Sequence, residues 1–109
     1  MIALAALFWM LVGHALADYP LQGEFLAQAK NRHTAIGAQF WLWALPAHAL
    51  IHGGAVALAT ASVLLGMAEA IAHAVIDAAK CSGRLSLHQD QLAHVACKVL
   101  WAAVVLAKS

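Results

Sequence analysis

From Phe40 to Lys80 the chain runs for about forty residues that are apolar almost throughout. A helix rises about 1.5 Å per residue, so this stretch is roughly twice as long as one crossing of a ~30 Å hydrocarbon layer requires. It must therefore fold back on itself as two helices. The turn is expected between Thr60 and Gly66, where Thr60, Ser62 and Gly66 cluster. Pro46 suits the first turn of the earlier helix, where a missing N–H costs least. In a chain of 109 residues these two helices leave room for a single domain.

The solvent around that domain follows from how little polar surface the chain owns. Apolar residues make up 64% of it and charged residues 10%, with a mean hydropathy of +0.80. Soluble domains sit near ~45–50% and ~25%, and a fold this small needs polar residues to cover its large exposed fraction. Lipid is the expected solvent, and burial in a large soluble oligomer is the alternative. The net charge of +1 and the lack of a basic patch with interleaved aromatics exclude a nucleic-acid partner. Cys81 and Cys97 do not make a disulfide framework. Residues 2–12 followed by Ala15-Leu16-Ala17 resemble a signal peptide, but no basic residue precedes the apolar run. The segment is expected to stay as a first membrane helix.

The fold class expected is all-α, a four-helix transmembrane bundle, with helices at about 2–18, 40–61, 63–80 and 89–107 in one membrane domain spanning 1–109. Tyr19-Pro20 ends the first helix. The polar stretch after it, with Gln22, Glu24, Gln28, Lys30, Asn31, Arg32 and His33, forms a connector that holds a short surface helix. Lys30 and Arg32 in this connector, and Lys80 and Arg84 around the last one, fall on one side of an alternating bundle. The positive-inside rule makes that side cytoplasmic and puts both termini on the other. Lys30 and Lys80 are read chiefly as such anchors, and Trp9, Trp41, Trp43 and Trp101 as interfacial or lipid-facing residues.

The ionisable residues carry the functional signal. His14 and Asp18 are four apart, as are His48 and His52, His73 and Asp77, and Asp90 and His94, one pair on each expected helix. Glu69 extends the third pair to Glu69-His73-Asp77. Residues four apart stack on one helix face. Alternating topology brings all four pairs to one level near the cytoplasmic face. Each charge at membrane depth costs ~2.5–3.5 kcal/mol or more, so such groups face inward, pair, and mark function.

Any one pair by itself reads as a buried hydrogen-bonded couple. Four pairs at a common level read as a shared site. Helical bundles hold divalent metals with ligands projected inward at this spacing, and imidazole with carboxylate suits zinc, manganese, iron or nickel. The expected ligands of one or two ions are His14, Asp18, His48, His52, His73, Asp77, Asp90 and His94. Gln22, Lys80 and Gln91 are expected to orient them from behind. Glu69, a turn deeper, is the expected catalytic base.

The ordered motifs His14-x-x-x-Asp18-x-x-x-Gln22, His48-x-x-x-His52, His73-x-x-Ile76-Asp77-x-x-Lys80 and Asp90-Gln91-x-x-His94 resemble those of a family of small bacterial and phage polytopic inner-membrane proteins of unknown function. Tyr19 departs from it, since phenylalanine is commoner there. The resemblance implies a multi-pass protein of the bacterial inner membrane and supplies no activity. A looser likeness to membrane-bound metal-dependent hydrolases is analogy only. The leading expectation is therefore a membrane-embedded metal site, with metal-dependent hydrolysis as its use. The alternative is a non-catalytic phage or bacterial effector, acting in lysis, exclusion or inhibition of a host complex, in which the cluster is structural. The bilayer is the expected partner, with a homo-oligomer or a host membrane complex beside it.

Overall fold

A computed structural model describes residues 2–109 as five helices: α1 (Ile2–Asp18), α2 (Gly23–Ala29), α3 (Ala35–Thr60), α4 (Val63–Cys81) and α5 (Leu87–Ala107). No strand occurs among the described residues. The additional short helix, α2, fills the polar connector and turns away from α1 by 87°. Pro20 cannot continue the α1 hydrogen-bond ladder, and Gly23 opens α2 at φ +67, a conformation that strains a side chain with a Cβ.

α3 begins at Ala35, earlier than Phe40, because its start is set by a cap and not by hydrophobicity. The Thr34 hydroxyl accepts the Gly37 N–H at 2.8 Å and donates to the Gln28 carbonyl at 2.8 Å. Gly37 is required there, since a Cβ would fall 1.6 Å from the Asn31 carbonyl oxygen. The earlier start leaves Pro46 well inside the helix instead of in its first turn. There it removes the hydrogen bond that the Leu42 carbonyl would accept. The reversal into α4 takes two residues: Ala61 in the left-handed region at φ 55, and Ser62, whose hydroxyl accepts the Leu65 N–H. Ser86 and Gln89 form a reciprocal capping box at the start of α5.

The four long helices pack as a ring, α1 and α4 each lying against both α3 and α5, while α2 rests on α3. α3 and α4 approach most closely at Gly53 and Gly66, where a Cβ on either would sit 2.6 Å from the other's carbonyl oxygen. Ala6, Met10, Val56, Leu65 and Ala102 form an apolar layer toward the end that holds the α3–α4 turn. The two polar connectors share the other end, where a His33 ring nitrogen lies 3.1 Å from the Ser82 hydroxyl.

Polarity is inverted relative to a soluble fold. His48, His52, Glu69, His73, Asp77, Asp90, His94 and Lys98 are buried, while Trp43, Leu50, Leu58, Leu64, Ile71, Val75 and Leu100 are exposed. Soluble proteins seldom bury so many ionisable groups, and rarely expose contiguous apolar surface on this scale. α3 and α5 are long and apolar enough to cross a membrane. α1 and α2 meet that criterion only as a pair broken at their bend.

Candidate metal centre

Each inward-facing pair arrives on its own helix. α1 brings His14 and Asp18, α3 His48 and His52, α4 Glu69, His73 and Asp77, and α5 Asp90, His94 and Lys98. Because α3 starts at Ala35, His48 and His52 sit near its middle and not near its start. α3 thus reaches past the cluster to meet α2.

Asp18 is the hub. Its Oδ1 lies 2.8 Å from His52 Nε2 and 3.2 Å from His48 Nε2. Its Oδ2 accepts from Gln91 Nε2 at 3.1 Å and lies 3.5 Å from His14 Nε2. The five imidazoles form one group: His52 stacks on His73 with centroids 3.6 Å apart, and His73 on His94 at 4.1 Å. His48 and His14 flank the stack. Asp77 Oδ2 faces His48 Nε2 and His73 Nε2 at 3.8 and 3.9 Å, and Asp90 Oδ1 lies 3.3 Å from His94 Nε2.

One ligand atom from each of Asp18, His48, His52 and His73 lies within 4.8 Å of all the others, and Glu69, His73 and His94 form a second such group. Ligands at about 2.0–2.1 Å round a tetrahedral ion stand about 3.3 Å apart, close to the spacing of Asp18 Oδ1 from its two histidines. Both ring nitrogens of His73, and Nδ1 of His14, His48, His52 and His94, are buried without a hydrogen-bond partner among the described residues. Buried polar atoms almost always have partners, so the unpartnered nitrogens of His73, beside the His48 and His52 Nε2 atoms turned to Asp18, fit a bound divalent cation.

The supporting residues fall in different places. Gln91 bridges the cluster, its Oε1 3.0 Å from His14 Nε2 and its Nε2 donating to Asp18 and Asp90. Gln22 donates to the Asp18 backbone carbonyl at 3.3 Å, not to the carboxylate. With Lys80 it lines a small cavity of about 90 Å³ at the connector end, together with Asp18, Lys30, Asp77, Asp90 and His94. Glu69 does not line that cavity. It is fully buried, and its Oε1 lies 2.9 Å from Lys98 Nζ and accepts from Trp101 Nε1 at 3.0 Å.

Three of these contacts depart from the sequence reading. Lys30 is no solvated anchor: it is buried and paired with Asp77 Oδ2 at 2.8 Å, because α2 folds back over the bundle end. Trp101 turns its indole N–H inward to Glu69 and does not serve only as a lipid contact. Lys98, 1% exposed, goes unnoticed in the sequence although it extends the Asp90-x-x-x-His94 face by one more turn. The four-residue spacing finds it once lysine is admitted to the pattern.

A family model described as "Protein of unknown function (DUF3307)" matches residues 6–109. No curated protein and no solved structure matches the chain.

Proposed function

The chain belongs to this family of unknown function, and we propose that it is a four-helix membrane protein with an intramembrane divalent-metal site that serves hydrolysis of a phosphoester at headgroup level. One observation carries the reading. Asp18 belongs both to the Asp18/His48/His52/His73 ligand group and to the lining of the polar cavity at the connector end. The cavity thus meets the ligand group at Asp18 from the connector end, while the apolar layer lies toward the other end.

Membrane crossing by α1 and α4 is supported by their outward faces. On α4, Val63, Met67, Ile71 and Val75 form an exposed stripe at four-residue spacing, and its charges point inward. At about 1.5 Å per residue, α1 and α4 are roughly 26 and 28 Å long, enough for a bilayer that thins slightly or a helix whose polar end reaches the headgroups. Exposed Arg32 and Arg84 support a reading in which the connector end is cytoplasmic and both termini are periplasmic in a bacterial inner membrane.

A divalent ion in this set supplies a Lewis acid that makes water nucleophilic at neutral pH. The chain's own groups do the rest. Asp90 and His94 line the cavity and are placed to accept and return a proton there, a role that Glu69, enclosed by Lys98 and Trp101, is not placed to fill. Lys80 at the cavity favours an anionic substrate over a neutral amide. The test is elemental analysis of detergent-purified protein beside a His48→Ala/His52→Ala variant, with hydrolysis of p-nitrophenyl phosphate and bis(p-nitrophenyl) phosphate measured on both. Metal and hydrolysis that are present in the wild type and lost together in the variant support the reading. A wild type free of metal under purification without chelators sinks it, and returns the cluster to a buried hydrogen-bond network.

A further inference from the structure

Two ligand groups share His73, and their relation decides how many ions the chain takes. The first group is Asp18, His48, His52 and His73; the second is Glu69, His73 and His94. A neutral imidazole offers one lone-pair nitrogen and carries a proton on the other. His73 can therefore serve one group at a time unless it loses that proton as well and becomes an imidazolate.

The second group already contains a cation. Lys98 Nζ lies 2.9 Å from Glu69 Oε1, with both side chains at 1% exposure or less, and Trp101 Nε1 donates to the same oxygen at 3.0 Å. Lysine offers three donors and no acceptor. It thus neutralises the Glu69 carboxylate without competing for an imidazole lone pair. The oxygen left over, Glu69 Oε2, is buried, has no hydrogen-bond partner among the described residues, and lies 3.6 Å from His73 Nδ1. That distance is slightly long for a hydrogen bond, and a shift of ~0.5 Å closes it. Ligand histidines commonly give their second ring N–H to a carboxylate, which fixes the tautomer and the ring orientation. With the proton on Nδ1, the lone pair of His73 sits on Nε2, the nitrogen that faces the side of the cluster holding Asp77 and His48.

We propose that Glu69, Lys98 and Trp101 form an internal brace that holds the His73 tautomer and limits the cluster to one divalent ion per chain, Lys98 standing where a second ion would otherwise be needed. Glu69 is then a positioning residue. The inference rests on the metal-site reading above, and its failure is separable from failure of that reading.

The experiment is titration of the detergent-solubilised full chain with Co²⁺, read by visible absorption for coordination and by elemental analysis for stoichiometry. The wild type is compared with Glu69→Gln/Lys98→Met, which removes both buried charges together and leaves neither one unpaired. The wild type is expected to saturate at one Co²⁺. The double variant, with its helical circular dichroism unchanged, is expected to bind one Co²⁺ 10–100-fold more weakly, the range for loss of an outer partner, with an altered absorption band. Two ions in the wild type overturn the inference and leave the metal site standing. So does a folded double variant that binds as tightly, with the same spectrum, as the wild type. No ion in the wild type overturns both.

Discussion

Gly53→Ala and Gly54→Ala place the same methyl group at consecutive positions of one helix, in opposite surroundings. At Gly53 the new carbon lies 2.6 Å from the Gly66 carbonyl oxygen and 2.9 Å from Ala70 Cβ, whereas ordinary contact begins at 3.4 Å. Neither obstacle can rotate away, because one is backbone and the other has no free torsion. α3 and α4 must then part by roughly 0.8 Å, an overpacking that costs about 1–3 kcal/mol. At Gly54 nothing among the described residues lies within 4 Å. Both variants gain about 0.5–1 kcal/mol from replacing a helical glycine. That gain cancels in their difference, leaving the steric cost alone. His52 and His73 stand beside this contact with rings stacked at 3.6 Å, and metal sites tolerate only about ±0.2 Å in ligand distance. Gly53→Ala is therefore expected to weaken metal binding as well, and Gly54→Ala to leave it alone. The assay is unfolding in mixed detergent micelles followed by circular dichroism, with both variants run side by side. Equal stability of the two would refute the close approach of α3 and α4.

Lys98→Met leaves the Glu69 carboxylate buried without its cation, at a cost of about 3–5 kcal/mol. Adding Glu69→Gln should recover more than half of that in the same unfolding assay, and a double-variant loss equal to the sum of the two single-variant losses would show that the two groups are not coupled. Ala61→Gly relieves a left-handed alanine at the α3–α4 turn; a gain of about 0.5–1 kcal/mol is expected, set by the 1–2 kcal/mol that conformation costs less the entropy of glycine. Exhaustive chelation should lower the unfolding midpoint of the wild type, because a cation that binds only the folded state stabilises it. The same treatment should leave His48→Ala/His52→Ala where it started, and an identical drop in both would mean the stabilising ion lies elsewhere.

Much of the fold is legible along the chain because its determinants are local. The apolar runs, Pro20 after α1, and the Ser62 and Ser86 caps mark helix ends within a few residues. The start of α3 is harder to see, since Thr34 lies in a polar stretch where hydrophobicity carries no signal. The inward faces are also legible, because residues four apart share a helix face whatever the partner helix does. His14, His48, His52, His73, Asp77, Asp90 and His94 are all buried, and Asp18 is nearly so.

Which of these residues meet is a different matter. That Asp18 reaches both histidines of α3, that Lys30 folds back onto Asp77, and that Lys98 rather than solvent neutralises Glu69 all depend on contacts between helices. Helical period determines the direction a side chain takes from its own axis, and the sequence carries that period in full. The separation, rotation and depth of neighbouring helices are settled by packing, here by two glycines that let α3 and α4 nearly touch and by a bend that swings α2 over the bundle end. The inventory of the site is written in one dimension, and its pairing exists only in three.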